Sequence, residues 1–311
     1  MQPIEFKWVA VQTTFSNESE QSDMTTLVLG STGQLGRELQ RLDPDLTAVG
    51  RSSGFDLAHP EDCLKAILEL RPTAVINAAA YTQVDKAESE ESIATLINHL
   101  GPEACAKACA ELGIPFVHLS TDYVFPGDKV GAYIESDPIG PKNAYGRTKA
   151  AGEQAVRAAN PNSKIIRTAW VFSSFGNNFV KTMLRLAETR DEIGVVSDQI
   201  GCPTWAHDLA KACLVAAAEP RYGGTYHFAG NGQTSWAGFA EAIFACAQPL
   251  NLPSARVRPI RTIDYPTPAY RPPNSVLSSD SFSQTFGHKP ADWQESLEKC
   301  MVEIGAAQRI A

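Results

Sequence analysis

An apolar run, TTLVLG, is followed by glycines at positions 30, 33 and 36 in GSTGQLG, and the chain continues as the amphipathic stretch QLGREL. A strand that ends in a glycine turn and opens directly into a helix leaves few folds available. The glycines let the chain reverse tightly and bring backbone N–H groups to a helix N-terminus, where a pyrophosphate binds well. The spacing is G-x-x-G-x-x-G rather than G-x-G-x-x-G, and a bare glycine triplet also occurs in purely structural turns. The strand–turn–helix context favours a dinucleotide cradle made of Gly30, Thr32, Gly33, Gln34, Leu35 and Gly36.

The segments after this turn keep the same rhythm. LTAVG, AVINAA, PFVHLS and KIIRTAWVF are apolar strands, and PEDCLKAILEL, residues 92–112 and the stretch holding Tyr145 and Lys149 are helical in pattern. Strands this apolar, separated by helices, predict an α/β fold of the Rossmann type, a doubly wound parallel sheet covered on both faces. After about Thr168 the pattern changes to helices such as NNFVKTMLRLAE and WAHDLAKACLVAAAE, joined by loops rich in Pro and Gly. RTIDYPTPAYRPPNS cannot be a regular element, because its prolines remove donors and fix φ repeatedly. The expected organisation is a nucleotide-binding domain over 24–170 and a smaller C-terminal substrate-binding lobe over 171–311, with some segments returning to the first domain. Residues 1–23 lack convincing periodicity and are expected to form a flexible leader, with a short packed arm around FKWVAV as the alternative.

Composition excludes several classes of function. A net charge of −8 without a dense Lys/Arg run argues against a nucleic-acid surface. No stretch approaches the roughly 18 apolar residues needed to span a bilayer, and the N-terminus lacks the basic start and apolar core of a secretory signal. The 7 cysteines are dispersed without a CxxC pair, which suits a reduced, cytoplasmic protein. Cys105 and Cys109 share a helix face and read as small buried thiols rather than as metal ligands.

Two later strand ends refine the cofactor. A strand that ends on an acidic residue reads the 2′-hydroxyl of NAD. Here the second strand ends AVGRSSG, which puts Arg51, with Ser52 as an extra donor, where a 2′-phosphate would lie. NADPH is therefore expected, with NADH as the weaker alternative. FDL follows, placing Asp56 and Leu57 beside the adenine. NAAAYT ends the next strand with small residues, so a cofactor can lie against the backbone of Ala78, Ala79 and Ala80.

HLSTDYVF ends a further strand at the sheet edge where doubly wound folds place ligands. Thr121 lies there, and Tyr145 and Lys149 follow in NAYGRTKAAGE at a spacing that shares one helix face. The spacing alone proves little, because Y-x-x-x-K arises readily by chance. Joined to the glycine turn it makes chemical sense. A phenol with a pKa near 10 needs help to exchange a proton near neutrality. A nearby ammonium favours the phenolate, and a threonine hydroxyl can hold a carbonyl oxygen while hydride arrives from a nicotinamide.

These motifs resemble the extended short-chain dehydrogenase/reductase superfamily. GQLGREL, NAAAYTQVDKAE, STDYVFPG, AYGRTKAAGE, RTAWVF, NNFVKTMLRLA, VVSDQIGCPTW and RPPNSVL together are similar to the dTDP-4-dehydrorhamnose reductase family from Thr25 to near the C-terminus. The resemblance implies reduction of the C4 ketone of dTDP-4-dehydro-β-L-rhamnose to dTDP-L-rhamnose. It implies that Thr121, Tyr145 and Lys149 are catalytic, with Tyr145 and Lys149 also touching the cofactor. It places Val84, Asp122, Tyr123, Trp170, Asn178, Gln199 and Arg271 in blocks that line a dTDP-sugar site. Arg271 suits a diphosphate through its charged fork, and Trp170 reads equally as a stacking face or as filler at the lobe junction.

Nucleotide-sugar 4,6-dehydratases resemble this fold but carry Asp-Glu after the threonine, whereas this chain has Asp122-Tyr123. The missing glutamate favours simple reduction. Some family members are described with a metal-bridged dimer. This sequence holds no clustered ligand set, so no metal is expected, and a homodimer stays open. Ser31 departs from the residues usual in the glycine loop, and no basic residue precedes Phe282 in SSDSFSQTFG. Two rivals remain: a reductase of another nucleotide-linked 4-keto sugar, and a non-catalytic NADP-binding regulatory subunit resembling the β subunit of methionine adenosyltransferase.

Overall fold

The computed structural model describes residues 25–310; the leader expected over 1–23 lies outside the described residues. The chain runs β1 (Thr26–Leu29), α1 (Gln34–Leu42), β2 (Thr47–Val49), α2 (Pro60–Leu70), β3 (Ala74–Asn77), α3 (Val84–Ala87), α4 (Glu91–Thr95), α5 (Gly101–Leu112), β4 (Phe116–Thr121), α6 (Ala144–Ala159) and β5 (Lys164–Thr168). It continues with β6 (Val171–Phe172), α7 (Phe179–Ala187), β7 (Glu192–Val196), β8 (Ile200–Gly201), β9 (Thr204–Trp205), α8 (Ala206–Ala218), β10 (Gly224–His227), β11 (Thr234–Ser235), α9 (Trp236–Ala247), β12 (Arg256–Ile260), α10 (Asp280–Phe286) and α11 (Trp293–Ile310).

Six strands form one parallel sheet in the order β10-β5-β4-β3-β1-β2. Every residue of β3 and β5 is buried, as both faces of a parallel sheet must be when helices cover them. On one face Leu35 and Leu39 of α1, Ala210 and Cys213 of α8 and Phe282 of α10 pack against Val28, Ile76, Val117 and Ile166. On the other, Ile67 of α2, Cys105 and Cys109 of α5 and Val156 of α6 pack against Leu27, Val75, Phe116 and Ile165. The paired thiols of α5 are thus apolar filling, as their helical spacing predicts.

The order reverses between β1 and β3: the chain leaves β1 for the edge strand β2 and returns to β3 on the other side of β1. In open α/β sheets such a reversal opens a crevice at the carboxyl ends of the strands. Here that crevice lies between the glycine turn after β1 and Ala78–Ala80 after β3.

Beyond residue 170 the chain splits its loyalties. α8 and β10 return to the central sheet, whereas α7, α9, β7, β12 and α11 build a second core around Phe172, Met183, Trp205, Phe239, Ile243 and Leu297. KIIRTAWVF is not one strand. Trp170 adopts φ +47, a left-handed conformation that bulky residues rarely take, and it breaks the run into β5 and β6. The helix expected over residues 92–112 likewise changes pitch, with a π-turn at Leu96–Leu100 between α4 and α5. RTIDYPTPAYRPPNS contains one short 3₁₀ turn, Thr262–Asp264, and is otherwise irregular.

Beneath the C-terminal ends of β4 and β5 lies a buried charged network. Arg167 of β5 donates from Nε at 2.9 Å and from Nη2 at 2.7 Å to the two carboxylate oxygens of Glu153 on α6. The Ser120 hydroxyl of β4 donates to the same carboxylate at 2.5 Å. All three residues are at most 4% exposed. Removing one member strands a charge away from water, which typically costs about 3–5 kcal/mol. Arg167→Ala should lower the unfolding free energy by about that amount in urea titrations. A loss below about 1 kcal/mol would mean that the pair is not structurally important.

Candidate active site

The site grows from the close approach of α6 to β4. Thr121 is the last residue of β4, and a 3₁₀ turn over Asp122–Val124 follows it. α6 begins at Asn143, whose Oδ1 accepts the Gly146 N–H at 2.7 Å, an N-cap that the sequence NAYG encodes. A Cβ on Gly146 would stand 2.2 Å from the Tyr123 carbonyl oxygen. Only glycine lets α6 press onto the Thr121–Tyr123 turn, and that contact brings Tyr145 and Lys149 to the strand end.

At the turn the Thr121 hydroxyl donates to Asp122 Oδ1 at 2.9 Å and accepts the Tyr123 N–H at 3.2 Å. Burial lifts the Asp122 carboxyl to about 6, although the hydroxyls of Ser275 and Thr121 and neighbouring backbone N–H groups pull it down. Its Oδ2 atom is buried without a hydrogen-bond partner. Thr121 therefore has its only proton committed to Asp122, so its expected role as donor to a carbonyl oxygen requires that bond to be released.

Tyr145 packs edge-on against Tyr123, with ring centroids 5.9 Å apart. Burial raises its phenol to about 12; the neighbouring Thr121 hydroxyl opposes this, and the charge of Asp122 pushes it further up. Lys149, expected to lower this pKa, does not aim its ammonium at the phenol in this arrangement. Lys149 instead donates from Nζ to the Leu119 carbonyl at 2.6 Å. Burial drops the lysine to about 8, opposed by the nearby charge of Glu153. The two residues share a helix face, but the ammonium is turned toward the strand.

Tyr123 follows Asp122, Arg271 lies beside Tyr123, and Val84 opens α3 next to the Arg271 partner Asp85. Arg271 lies over the Tyr123 ring at 6.0 Å and donates from Nη2 to Asp85 at 2.9 Å, immediately after Val84 at the start of α3. Its other terminal nitrogen, Nη1, is buried and unpartnered. A buried guanidinium nitrogen without an acceptor is costly, and an anionic ligand would satisfy it. The remaining expected substrate residues make other contacts. Trp170 stacks on Trp236 at 3.5 Å between centroids, 8° from parallel, so its packing is that of the lobe junction. Gln199 donates to the Thr262 hydroxyl at 3.0 Å, and Asn178 donates to Gln34 of the glycine turn at 3.0 Å.

The dinucleotide crevice meets the requirements of NADPH. Gly30 has φ +99, and a Cβ there would lie 2.9 Å from the Ala79 nitrogen, so the turn rests directly on the Ala78–Ala80 backbone. No side chain caps the N-terminus of α1, which leaves its first N–H groups for a pyrophosphate. Leu35 is buried, whereas Thr32 and Gly33 are exposed at the turn. Arg51 and Ser52 are exposed in a short 3₁₀ turn after β2, and Arg51 makes no ion pair among the described residues. Asp56 accepts the Ala58 N–H at 3.0 Å, and Leu57 is buried beside it.

Three functional supports were not foreseen. Asn98, in the π-turn, accepts from the Tyr81 N–H at 2.9 Å and donates to the Tyr81 carbonyl and to Thr148. It thereby ties the loop after β3 to α6. Asn143 also donates to the Tyr270 carbonyl at 2.8 Å, which anchors the proline-rich strap over the helix start. Glu153 and Arg167 hold the floor. The N-cap pattern signalled Asn143; the partners of Asn98, Glu153 and Arg167 are remote in sequence, and nothing local pointed to them. Among the described residues no group of three or more His, Cys, Asp or Glu is placed to hold a metal ion, and no helix is long and apolar enough to cross a membrane.

A parallel doubly wound sheet, a glycine turn at its switch point and a threonine–tyrosine–lysine set at the end of β4 define the short-chain dehydrogenase/reductase class. Residues 24–305 match the family model described as the RmlD substrate binding domain, and the chain belongs to that family. It is 44% identical to the dTDP-4-dehydrorhamnose reductase of Sinorhizobium fredii over 285 residues, covering 89% of this chain and 96% of the relative. It is 42% identical to the dTDP-4-dehydrorhamnose reductase of Escherichia coli, over 90% of this chain and 98% of that one. Among solved structures, the dTDP-4-dehydrorhamnose reductase of Bacillus anthracis in complex with NADP superposes with a TM-score of 0.85 at 37% identity, covering 90% of this chain and 99% of that chain. The UDP-glucose 4-epimerase of Thermus thermophilus, at 21% identity and a TM-score of 0.74 over 91% of this chain and 99% of that one, shares the fold.

The raised pKa of Asp122 has a direct consequence for stability. Its ionised form is disfavoured in the fold, so the cost is present above about pH 6 and fades as pH falls toward the ordinary carboxylate range. Asp122→Asn should raise the melting temperature at pH 8 and change it little at pH 4. An equal change at both pH values would show that the carboxylate is not the source.

Proposed function

We propose that this chain uses NADPH to reduce the C4 ketone of dTDP-4-dehydro-β-L-rhamnose, yielding dTDP-L-rhamnose. Family membership supports the substrate and the reaction. The observation that carries the mechanism is the meeting of Thr121, Tyr145 and Lys149 at the carboxyl end of β4, on the same edge of the sheet as the dinucleotide crevice.

When bound, the reduced nicotinamide supplies a hydride to C4. The chain's own residues manage the oxygen. A phenol near 12 is protonated at neutral pH, so Tyr145 starts as the acid and delivers its proton to the oxygen as the carbonyl becomes an alkoxide. Thr121, once turned from Asp122, donates to the same oxygen and favours the charge that develops there. Lys149, with donors beyond the one given to Leu119, holds the nicotinamide ribose. As the cofactor and sugar close the site, its positive charge stabilises the phenolate left on Tyr145. Arg271 offers its unpartnered Nη1 to the diphosphate of the sugar nucleotide, and Val84, Asp122 and Tyr123 line the sugar. Arg51 and Ser52 receive the 2′-phosphate of NADPH, and Tyr123 stands where the dehydratases carry a glutamate, which favours simple reduction.

The test is the steady-state rate of NADPH oxidation with dTDP-4-dehydro-β-L-rhamnose. Tyr145→Phe should lower kcat by roughly 10²–10⁴-fold, the range that general acid–base groups contribute, while NADPH binding changes little. Full activity in that variant would remove Tyr145 from the mechanism. Arg51→Ala should weaken NADPH while leaving NADH nearly unaffected; an equal loss for both cofactors would make Arg51 a bystander.

A further inference from the structure

One face of α1 is covered by a short loop from the other half of the chain. Gln34, Arg37, Glu38 and Arg41 recur at helical spacing, and each meets the segment 173–178 that joins β6 to α7. The Ser173 hydroxyl donates to the fully buried Glu38 at 2.7 Å. Arg37 and Arg41 lie 5.7 and 5.8 Å from the Phe175 ring centroid. Arg41 also pairs with Glu303 of α11 at 2.7 Å, and Ser174 donates to that same carboxylate at 2.8 Å. Gly176, at φ +64, comes so near the turn that a Cβ would lie 3.2 Å from the Gln34 side chain.

At the end of this segment, Asn178 has two jobs on two different atoms. Its Oδ1 accepts the Lys181 N–H at 3.1 Å and caps α7. Its Nδ2 donates to Gln34 Oε1 at 3.0 Å, to the Ser173 carbonyl at 2.7 Å and to the Phe175 carbonyl at 3.3 Å. Gln34 is the first residue of α1, at the helix end whose N–H groups would face a pyrophosphate, and its own amide reaches the Val171 carbonyl at 3.5 Å.

We infer that Asn178 is a positioning residue for the cofactor: through Gln34 it clasps the loop 173–178 onto the glycine turn and sets the α1 N-terminus for the NADPH pyrophosphate. This replaces the expected role of Asn178 as a contact of the sugar nucleotide, and it rests on the proposed NADPH-dependent reading of the site. The clasp joins the cofactor turn to the first helix of the second lobe, so an ordered α7 and a bound cofactor reinforce each other.

The variant that separates the two jobs is Asn178→Ser. Serine caps a helix about as well as asparagine, so α7 and the fold are retained, and no charge is added near the pyrophosphate. Its short side chain lacks the amide that reaches Gln34. Fluorescence titration of the full chain should show NADPH bound roughly three- to tenfold more weakly, the loss expected for about one hydrogen bond. Calorimetric binding of dTDP should be unchanged. In a Gln34→Ala background, Asn178→Ser should have little further effect on NADPH. An unchanged NADPH affinity overturns the inference, as does a weakened dTDP affinity with NADPH unaffected, which would make Asn178 a substrate contact. An additive effect in the Gln34→Ala background also overturns it. Wild-type protein that does not bind NADPH at all would fail the functional reading itself, a different result from a wild type that binds and a variant that binds equally well.

Discussion

The contact between α6 and β4 governs the rest of the site. It has a glycine at its upper end and a buried ion pair at its base. Gly146 lets the helix backbone touch the Tyr123 carbonyl, and Glu153, seven residues on, takes both Arg167 and Ser120. Between these anchors the helix has little freedom to slide or rotate. Lys149 lies within this clamped stretch, Tyr145 immediately precedes its glycine, and Thr121 follows Ser120 directly. A clamp of this kind explains how a phenol, an ammonium and a hydroxyl from separate elements are held together. It also places an unusual amount of buried charge under an active site, where pairing both oxygens of Glu153 is what makes the burial tolerable.

Electrostatically, the free site is held in a resting arrangement. Tyr145 is half-buried and protonated, Lys149 is spent partly on the Leu119 carbonyl, and the Thr121 proton points at Asp122. In the proposed reaction each of these interactions is exchanged for a ligand contact. The unpartnered atoms mark where such exchange gains most: Asp122 Oδ2 beside the threonine and Arg271 Nη1 beside Tyr123. A buried polar atom without a partner is a cost in the free protein that a correctly shaped ligand removes. Under the proposed reading, preference for one sugar nucleotide comes from satisfying atoms that a wrong one leaves bare.

The central sheet was largely legible in the sequence because its signals are local. QLGRELQRL and PEDCLKAILEL are helices over those same residues, and AVINAA and PFVHLS hold the buried strands β3 and β4. What was not legible depends on contacts between distant residues. β10 pairs with β5 across some sixty residues of chain, and its short GTYH carries no strong strand pattern. Trp170 looked like part of a continuous strand, yet its backbone turns left-handed to stack the ring on Trp236. The catalytic trio could be found from spacing, but the direction of the Lys149 ammonium could not: it depends on a carbonyl thirty residues earlier. Asn178 belonged to a recognisable block, whereas its partner Gln34 lies at the opposite end of the crevice motif.

The most direct measurement of the central claim follows the hydride. NADPH deuterated at the transferable position of the nicotinamide is supplied with dTDP-4-dehydro-β-L-rhamnose, and the sugar product is analysed by NMR. The account requires dTDP-L-rhamnose carrying deuterium at C4, with one NADPH oxidised per sugar reduced. Deuterium at another carbon, or an unreduced sugar in the presence of bound NADPH, would contradict it.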